Sequence, residues 1–417
     1  MKFDISDVAR INGLQIIKRT KGAETFCVCP FCGDRRGKFS YVINKGKKSN
    51  IYRCFSCEAG GNMFDLHKKL TGESFESATD IAKDIYKKLG DTPAEKTYVP
   101  DKIEEADRAT DKEISDCYYA LLKELTLKPE HLADLKRRGF SDADIKRFRF
   151  KSTPKDTWKV CRNLYYKKVK MRGVPGFYMK NGKWDLRICG DGYLCPVFDA
   201  DTNYITGFQI RVDKPISKSK YLWVSSAGMK FGVGSGAKCT LLSGKRRDII
   251  VITEGVLKAT IIFTLLGGEV TVVGIPGISS LGCLSEVLDR FKGQAYVIEA
   301  FDMDKKETSE VLKLSKEMDE RHLSLDDVKS DEHFHKLVVQ RRIWDASEKL
   351  RETLSCDFGL NSHSLIWDYK DCVWSENYKG LDDFLCANPD MAKPMLKYFD
   401  GLQKKDAKLR TALEKIS

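Results

Sequence analysis

Two pairs of cysteines and one dispersed set of carboxylates are the residues of this chain whose types and spacing can do chemistry. Cys29-Pro-Phe-Cys32 and Cys54-Phe-Ser-Cys57 are CxxC knuckles separated by 21 residues. Zinc takes four soft ligands tetrahedrally, and a CxxC turn presents two thiolates from one tight loop. The separation slightly exceeds the usual range for paired knuckles. A β-hairpin in KFSYVINKGKKSNIYRC bridges it, with SYVI and IYR as strands and Asn44–Lys48 as the turn. The alternatives are four free thiols or a redox pair. Cys27 alternates with Cys29 and is expected on the other side of a strand, outside the site. Arg35, Arg36, Lys38, Lys45, Lys47, Lys48 and Arg53 stand in the ribbon against Asp34. Basic and aromatic residues on such a sheet suit single-stranded DNA, the alternative being a protein-docking zinc module.

The carboxylates each follow an apolar run. Glu254 closes IIVIT and precedes Gly255. Asp302 and Asp304 close AYVIEAF, and in an extended segment their DxD spacing points both the same way. Asp382 and Asp383 follow Lys379-Gly380-Leu381, after SLIWDY. Two divalent ions about 3.5–4 Å apart can activate a hydroxyl and stabilise a leaving phosphate. Holding Mg²⁺ needs oxygen ligands, and strand carboxyl ends are where α/β sheets gather them. The alternative is a set of solvated acids at strand ends.

Positioning these residues requires several elements. The 417 residues allow two to four domains, and 42% hydrophobic content is ordinary for a chain with a core. Residues 1–90 read as a short helix, the cysteine-rich ribbon and a helical tail, and residues 91–113 as a charged, proline-containing linker. Residues 114–150 are helical, with Ser141 and Asp144 resembling a capping box. Short strands follow: GYLCPVFDA, YITGFQIRV and KYLWVSS. DIIVITEGVLKATIIFTLLGGEVTVVGI then alternates strand, helix and strand, as in a parallel sheet. Residues 305–355 are helical, NSHSLIWDY is a further strand, and LQKKDAKLRTALEKI is a terminal amphipathic helix.

The net charge is +12, of which residues 1–75 supply +7 (14 Lys/Arg against 7 Asp/Glu), favouring a polyanionic partner. A second basic run, Lys151 to Arg172, holds 8 Lys/Arg against Asp156 and interleaves Trp158, Tyr165 and Tyr166. That pattern fits either a backbone with unstacked bases or a solvated helix face over buried aromatics. No stretch reaches the roughly 18 apolar residues of a membrane span. Fourteen cysteines without a secretory h-region point to a reducing compartment, the cytoplasm of a bacterium or of a phage-infected one. GVGSGAKCT and LLSGKRR do not fit GxxxxGK[ST], so no motor NTPase is expected. His333 and His335 are expected as ordinary solvated or satisfied histidines.

CPFCGDRRGKFSYVINKGKKSNIYRCFSCEAGGNMFDL resembles the N-terminal zinc domain of bacterial and phage DnaG-type primases, which usually carry His where Cys32 stands. TEG, FDMD and the late DD resemble the Toprim domain those primases share with topoisomerases and some nucleases. HLADLKRRGFSDADIKRFRF and the stretch from YLCPVFDA to KYLWVSS resemble the part of the primase core before Toprim. The resemblance implies that Glu254 serves acid/base chemistry or binds metal, that Asp302 and Asp304 bind Mg²⁺, and that Asp382 or Asp383 completes the site. It also implies that Arg211, Lys220 and Tyr221 line a template or nucleotide basin. Two positions depart from the bacterial pattern. Lys258 stands four residues after Glu254, where an acid is usual, and Gly380 stands at another acidic position. Either metal binding is weaker, or Lys258 touches a phosphate.

The expected architecture is α+β with an α/β Toprim domain: a zinc-ribbon domain (1–90), a linker (91–113), a mixed core N-subdomain (114–245), a Toprim domain (246–390) with a helical insertion (305–360), and a C-terminal helix (391–417). The expected function is RNA primer synthesis on single-stranded DNA for a phage or mobile element. It would use NTPs, one structural Zn²⁺ and catalytic Mg²⁺ or Mn²⁺, with a separate helicase as partner. Competing expectations are a Toprim-type nuclease and a non-catalytic zinc-dependent DNA-binding adaptor.

Overall fold

A computed structural model describes residues 3–19, 24–45, 48–57, 59–90, 104, 106–216, 219–277, 281–293, 295–329, 331–370 and 373–414. The N-terminal unit opens with α1 (Ile5–Ile11), capped by Asp4. A five-stranded antiparallel sheet follows in sequential order: β1 (Ile16–Arg19), β2 (Glu24–Cys27), β3 (Phe39–Lys45), β4 (Lys48–Cys54) and β5 (Gly60–Asn62). The expected hairpin is β3–β4, with Phe39 opposite Cys54 and Lys45 opposite Lys48. Asn62 caps α2 (Met63–Thr71), and α3 (Ala78–Gly90) completes the unit. Its core holds Ile5, Val8, Phe39, Leu66 and Ile85, so the ribbon packs on its own helices. Lys47 lies outside the described residues, as do the side chain of Lys48 and residues 91–103.

The core N-subdomain contains α4 (Asp111–Glu124), α5 (Pro129–Arg137), α6 (Asp142–Arg147), β6 (Lys151–Ser152) and α7 (Thr157–Tyr166). Ser141 and Asp144 form the expected capping box of α6. The end of the stretch read as linker is instead tied to this subdomain. The Phe231 and Ala109 amides donate to the carbonyls of Glu104 and Gly173, and α4 already begins at Asp111. The hairpin β7 (Phe177–Lys180) and β8 (Lys183–Leu186) precedes β9 (Gly192–Asp199), β10 (Tyr204–Ile216), β11 (Ser219–Trp223) and β12 (Thr240–Leu242).

One sheet runs through the remaining chain. Its order is β11-β10-β9-β12-β14-β13-β15-β16, with β6 also paired to β9. The new strands are β13 (Arg246–Glu254), β14 (Val270–Ile275), β15 (Tyr296–Glu299) and β16 (Ser362–Ser364). The β11–β10–β9 side is antiparallel, whereas β14, β13, β15 and β16 are mutually parallel. The two stretches read as separate subdomains therefore share a sheet, joined where β12 sits between β9 and β14.

β13 is buried on both faces, which is why it reads as a continuous apolar run. Ile249 and Val251 face a core shared with Val256, Ile262 and Leu385. Ile250 and Ile252 face Ile343, Leu350 and Leu354. The first layer is built from α8 (Val256–Leu265), α13 (Leu381–Ala387) and α14 (Ala392–Glu414). The opposite layer includes α9 (Ser285–Leu288) and α12 (His335–Phe358). α10 (Ser309–Glu320) and α11 (Leu325–Val328) pack with the start of α12, and β17 (Tyr369–Lys370) pairs with β18 (Val373–Trp374). The helical stretch read as an insertion thus supplies one covering layer of the parallel sheet. Among the described residues no helix is long and apolar enough to cross a membrane.

Candidate metal centres and nucleic-acid interface

The four cysteines meet. Cys29 and Cys32 turn out of the loop after β2, and Cys54 and Cys57 lie at the end of β4 and just beyond it. Cys29 Sγ is 3.7 Å from Cys57 Sγ, Cys32 Sγ is 3.9 Å from Cys54 Sγ, and all four sulfurs lie within 4.8 Å of one another. A zinc ion with bonds of about 2.3 Å needs sulfur–sulfur edges of about 3.8 Å in a tetrahedron. The residues fit the ion. Cys27 is buried and is not in this group.

Asp34 braces the knuckles. Its carboxylate accepts from the Arg36 amide at 2.9 Å, from Arg36 Nε at 2.7 Å and from Ser56 Oγ at 2.9 Å, while its carbonyl accepts from the Cys29 amide. Burial would raise the Asp34 carboxyl, but Arg36 and Ser56 outweigh it and hold the group below the usual carboxylate range. Arg36, expected as a DNA contact, therefore has a structural partner that links both knuckles. Arg53 lies 5.0 Å from the Phe55 ring, and that ring is exposed. An open ring with a cation beside it is a stacking platform.

The acidic residues gather at the other end of the molecule's chemistry. Glu254 ends β13, which pairs in parallel with β14 on one side and β15 on the other. The chain passes from β13 to β14 and then crosses to β15, so Glu254 sits at the carboxyl end of a topological switch point. Gly255 follows at φ +89°, which a side chain would strain, and its amide donates to the Ile275 carbonyl at 2.8 Å. β15 stops at Glu299, earlier than the apolar run implied, and residues 303–305 form a 3₁₀ turn. Asp302 and Asp304 are thus presented by a tight turn and not by an extended strand. Similarly, β16 covers just Ser362–Ser364, and Asp382 and Asp383 lie in the first turn of α13.

Two lysines enter this constellation. Lys258, in the first turn of α8, forms an ion pair with Asp302 Oδ1. Lys379 pairs with Asp304, lies 3.8 Å from Asp302 Oδ2, and accepts the Met303 amide on its carbonyl. Burial opposes the charge on Lys258, but Asp302, Asp382 and Glu254 outweigh it and raise the group above the ordinary lysine value. Burial, then the Asp302 charge, raises Glu254. Burial pushes Asp382 up to about 6, with Lys258 opposing. Asp304 Oδ1 and Asp382 Oδ1 are buried and have no hydrogen-bond partner among the described residues. Orphaned carboxylate oxygens of this kind fit a hard divalent cation. The acids are nevertheless not drawn together as tightly as the sulfurs. Among the described residues the cysteines are the one group of three or more such ligand atoms within 4.8 Å.

Beneath the turn lies a charge pair that the sequence reading passed over. Glu299 and Lys305 are both fully buried and 2.9 Å apart. Ser347 on α12 and Ser364 on β16 donate to Glu299, and Gln340 Nε2 donates to the Lys305 carbonyl at 3.0 Å. An acid inside the apolar run AYVIEAF was the available signal, because a buried charge requires a partner. Lys379 also stood in the quoted KGLDD motif, but its partner was not deducible from spacing.

The remaining candidates spread out. Arg211 on β10 faces Tyr221 on β11 across the ladder, with its guanidinium 5.5 Å from the ring. Arg211 Nη1 donates to the Val212 carbonyl, and its Nε is buried without a partner among the described residues. Burial pushes the Tyr221 hydroxyl up to about 12, and Gln209 of β10 accepts the Val256 amide at 3.4 Å, which joins this ladder to the start of α8 beside Glu254. Lys220 is exposed. Trp158, Tyr165 and Tyr166 are exposed on and beside α7, which decides against the buried-aromatic alternative. Arg162 stacks 5.1 Å from the Trp158 ring. His333 pairs with Glu317 at 2.9 Å on the surface, and neither it nor His335 joins a metal group among the described residues.

Residues 1–96 match the family described as CHC2 zinc finger. A DNA primase of Halalkalibacterium halodurans is 25% identical over 229 residues, covering 54% of this chain and 35% of that protein. A DNA primase of Listeria monocytogenes is 24% identical over 260 residues, covering 60% and 38%. The chain thus spans little more than a third of the length of these curated relatives. The zinc-binding and RNA polymerase domains of the Aquifex aeolicus primase align with 96% of this chain and 83% of that one, at 15% identity and a TM-score of 0.47. Residues 1–96 are thus similar to the CHC2 zinc finger family, and the chain as a whole is similar to bacterial DNA primases of the DnaG type.

Proposed function

We propose that this chain is a DNA-dependent RNA primase. The observation that carries the reading is the convergence of Glu254, Asp302, Asp304 and Asp382 at the switch-point end of β13, in a chain that also holds a CHC2 zinc finger. On this reading the ribbon contacts single-stranded DNA through Arg53 and Phe55. Arg211, Tyr221 and the exposed Lys220 line the basin beside the acids and hold template or nucleotide phosphate, Arg as a planar clamp and Lys as a point charge. Asp302 and Asp304, with Glu254 and Asp382, would hold Mg²⁺ or Mn²⁺, whose chemistry is to activate a 3′-hydroxyl and neutralise charge on the phosphates. Glu254, its carboxyl raised by burial and by the Asp302 charge, would serve as a proton acceptor or as a further oxygen ligand at the end of β13. Asp383 sits beside Asp382 and adds negative charge at the same helix start. The product is a short RNA joined from NTPs in the cytoplasm of a bacterial or phage-infected cell, for a phage or mobile element, and a helicase acts as a partner.

A second reading has its own observation. Lys258 and Lys379 pair with the oxygens of Asp302 and Asp304, which suits a non-catalytic, zinc-dependent DNA-binding adaptor. One assay separates the readings: de novo primer synthesis on single-stranded DNA with labelled NTPs and Mg²⁺ or Mn²⁺, comparing the unaltered chain with Asp302→Asn and Cys54→Ser. Primers from the unaltered chain alone support the primase. DNA degradation instead points to a nuclease, and metal-independent DNA binding without primers to the adaptor.

A further inference from the structure

Lys258 conflicts with its own helix. α8 is apolar around its circumference, with Val256, Leu257, Ala259, Ile261, Ile262 and Phe263 all buried. Its first turn is the positive end of the helix dipole, where a lysine is disfavoured. A local conflict of this sort marks a position kept for something other than stability. Here the ammonium reaches Asp302 Oδ1. A Cβ on Gly380 would lie 2.1 Å from Asp382 Oδ1 and 3.6 Å from Asp302 Oδ1, so these two oxygens face the same spot. An acid at position 380 would collide with Asp382 as it is placed. The two departures from the bacterial pattern are therefore one feature: a lysine enters where an acid is usual, and a glycine leaves room for Asp382 beside it.

The two lysines of the site differ. The Lys258 side chain is 22% exposed and comes from a packed helix, whereas Lys379 is 56% exposed. Lys379 can swing to solvent at little cost, and Lys258 cannot. Asp304, the partner of Lys379, keeps a second oxygen that is buried and has no hydrogen-bond partner among the described residues.

The geometry points to Lys258 as a resident cation that occupies the place of one metal ion, leaving a site for a single divalent ion at Asp302 and Asp304, from which Lys379 withdraws. The inference rests on the reading that these acids hold a metal, and it specifies how many. The ammonium pairs with Asp302 Oδ1 from a helix that cannot withdraw it, so a second ion there would face a fixed positive charge a few ångströms away.

The test counts bound Mn²⁺ on the zinc-loaded 417-residue chain by the electron paramagnetic resonance signal of free Mn²⁺. Mn²⁺ prefers oxygen ligands and leaves the cysteines to zinc. The expected result is one ion per chain, none in Asp302→Asn, and two in Lys258→Glu. Lys258→Met removes one charge without adding a ligand and is expected to tighten Mn²⁺ at least about tenfold. Lys379→Met keeps one ion, bound more tightly. If Lys258→Glu folds poorly on its own, Mn²⁺ is expected to raise its melting temperature more than that of the unaltered chain. Two ions on the unaltered chain overturn the inference, as does no ion, or an unchanged affinity in Lys258→Met. Primer synthesis is scored separately. Primers made by a two-ion protein sink the resident-cation inference and leave the primase reading standing. One ion without primers sinks the primase reading and leaves the inference.

Discussion

The ribbon and the acidic site gather charge in opposite ways. The ribbon draws four ligands from two short turns, and each knuckle is set by its own hydrogen bonds, such as Ser56 amide to Cys54 Sγ at 3.4 Å. The acidic site draws its carboxylates from three distant segments, and lysines already answer two of them. Four thiolates in one pocket need a cation to coexist, so the ribbon is built around zinc. The acids coexist without one, because Lys258 and Lys379 are built in. On the proposed reading a metal is thus a folding component in the first region and would be a functional addition in the second.

That contrast is sharpest under zinc removal. A chelator, or Cys54→Ser, is expected to unfold residues 3–90, because the binding energy of a structural zinc, about 10 kcal/mol, is folding energy there. The parallel sheet should persist. Limited proteolysis checks this: cleavage confined to the first unit agrees, and simultaneous loss of both units breaks the comparison.

Next comes the buried pair beneath the acids. Lys305→Met strands the Glu299 carboxylate in the core and is expected to cost about 3–5 kcal/mol in urea unfolding. The pH dependence has a definite sign. Burial would raise Glu299, but Lys305, Ser347 and Ser364 outweigh it and hold the folded value low. Its stabilisation is therefore present above the ordinary glutamate range and is lost as pH falls through the lowered folded value. Lys305→Met should remove that acid sensitivity, and an unchanged pH profile would show the pair to be unimportant.

Asp302→Asn should lower primer synthesis at least about a hundredfold, about 2.7 kcal/mol, with some loss of stability as well because Lys258 is left without its partner. An active variant would mean that Asp302 takes no part in the chemistry. The smallest effects belong to the exposed rings. Phe55→Ala, and separately Tyr166→Ala, are expected to weaken single-stranded DNA binding by roughly 1–3 kcal/mol without changing the melting temperature. Fluorescence anisotropy with a labelled oligonucleotide measures both, and the Phe55 result shows whether the ribbon reads DNA or only docks.

Legibility followed the range of the interaction. The knuckles, the hairpin between them and the capping box of α6 were readable because each is a contact between near neighbours in sequence. Glu254 was readable from an apolar strand followed by glycine. The tight turn carrying Asp302 and Asp304 was not, since AYVIEAF reads as strand to its end and nothing local marks the stop at Glu299. The exposure of Trp158, Tyr165 and Tyr166 was equally open, because an amphipathic pattern does not say which face finds a partner.

By itself the sequence determined the zinc ligands, the parallel strands of the second unit and the order of the acids along the chain. These follow from side-chain type and from periods of two and of three to four residues. The tertiary structure alone decided which charges meet. Lys258 and Asp302 are 44 residues apart, Lys379 and Asp304 are 75 apart, and Ser347 reaches Glu299 across 48. Ion pairs over such separations depend on how strands are ordered in the sheet and which helices cover them, and no spacing along the chain encodes that. What looked in sequence like two missing acids became, once folded, a lysine seated among the remaining ones.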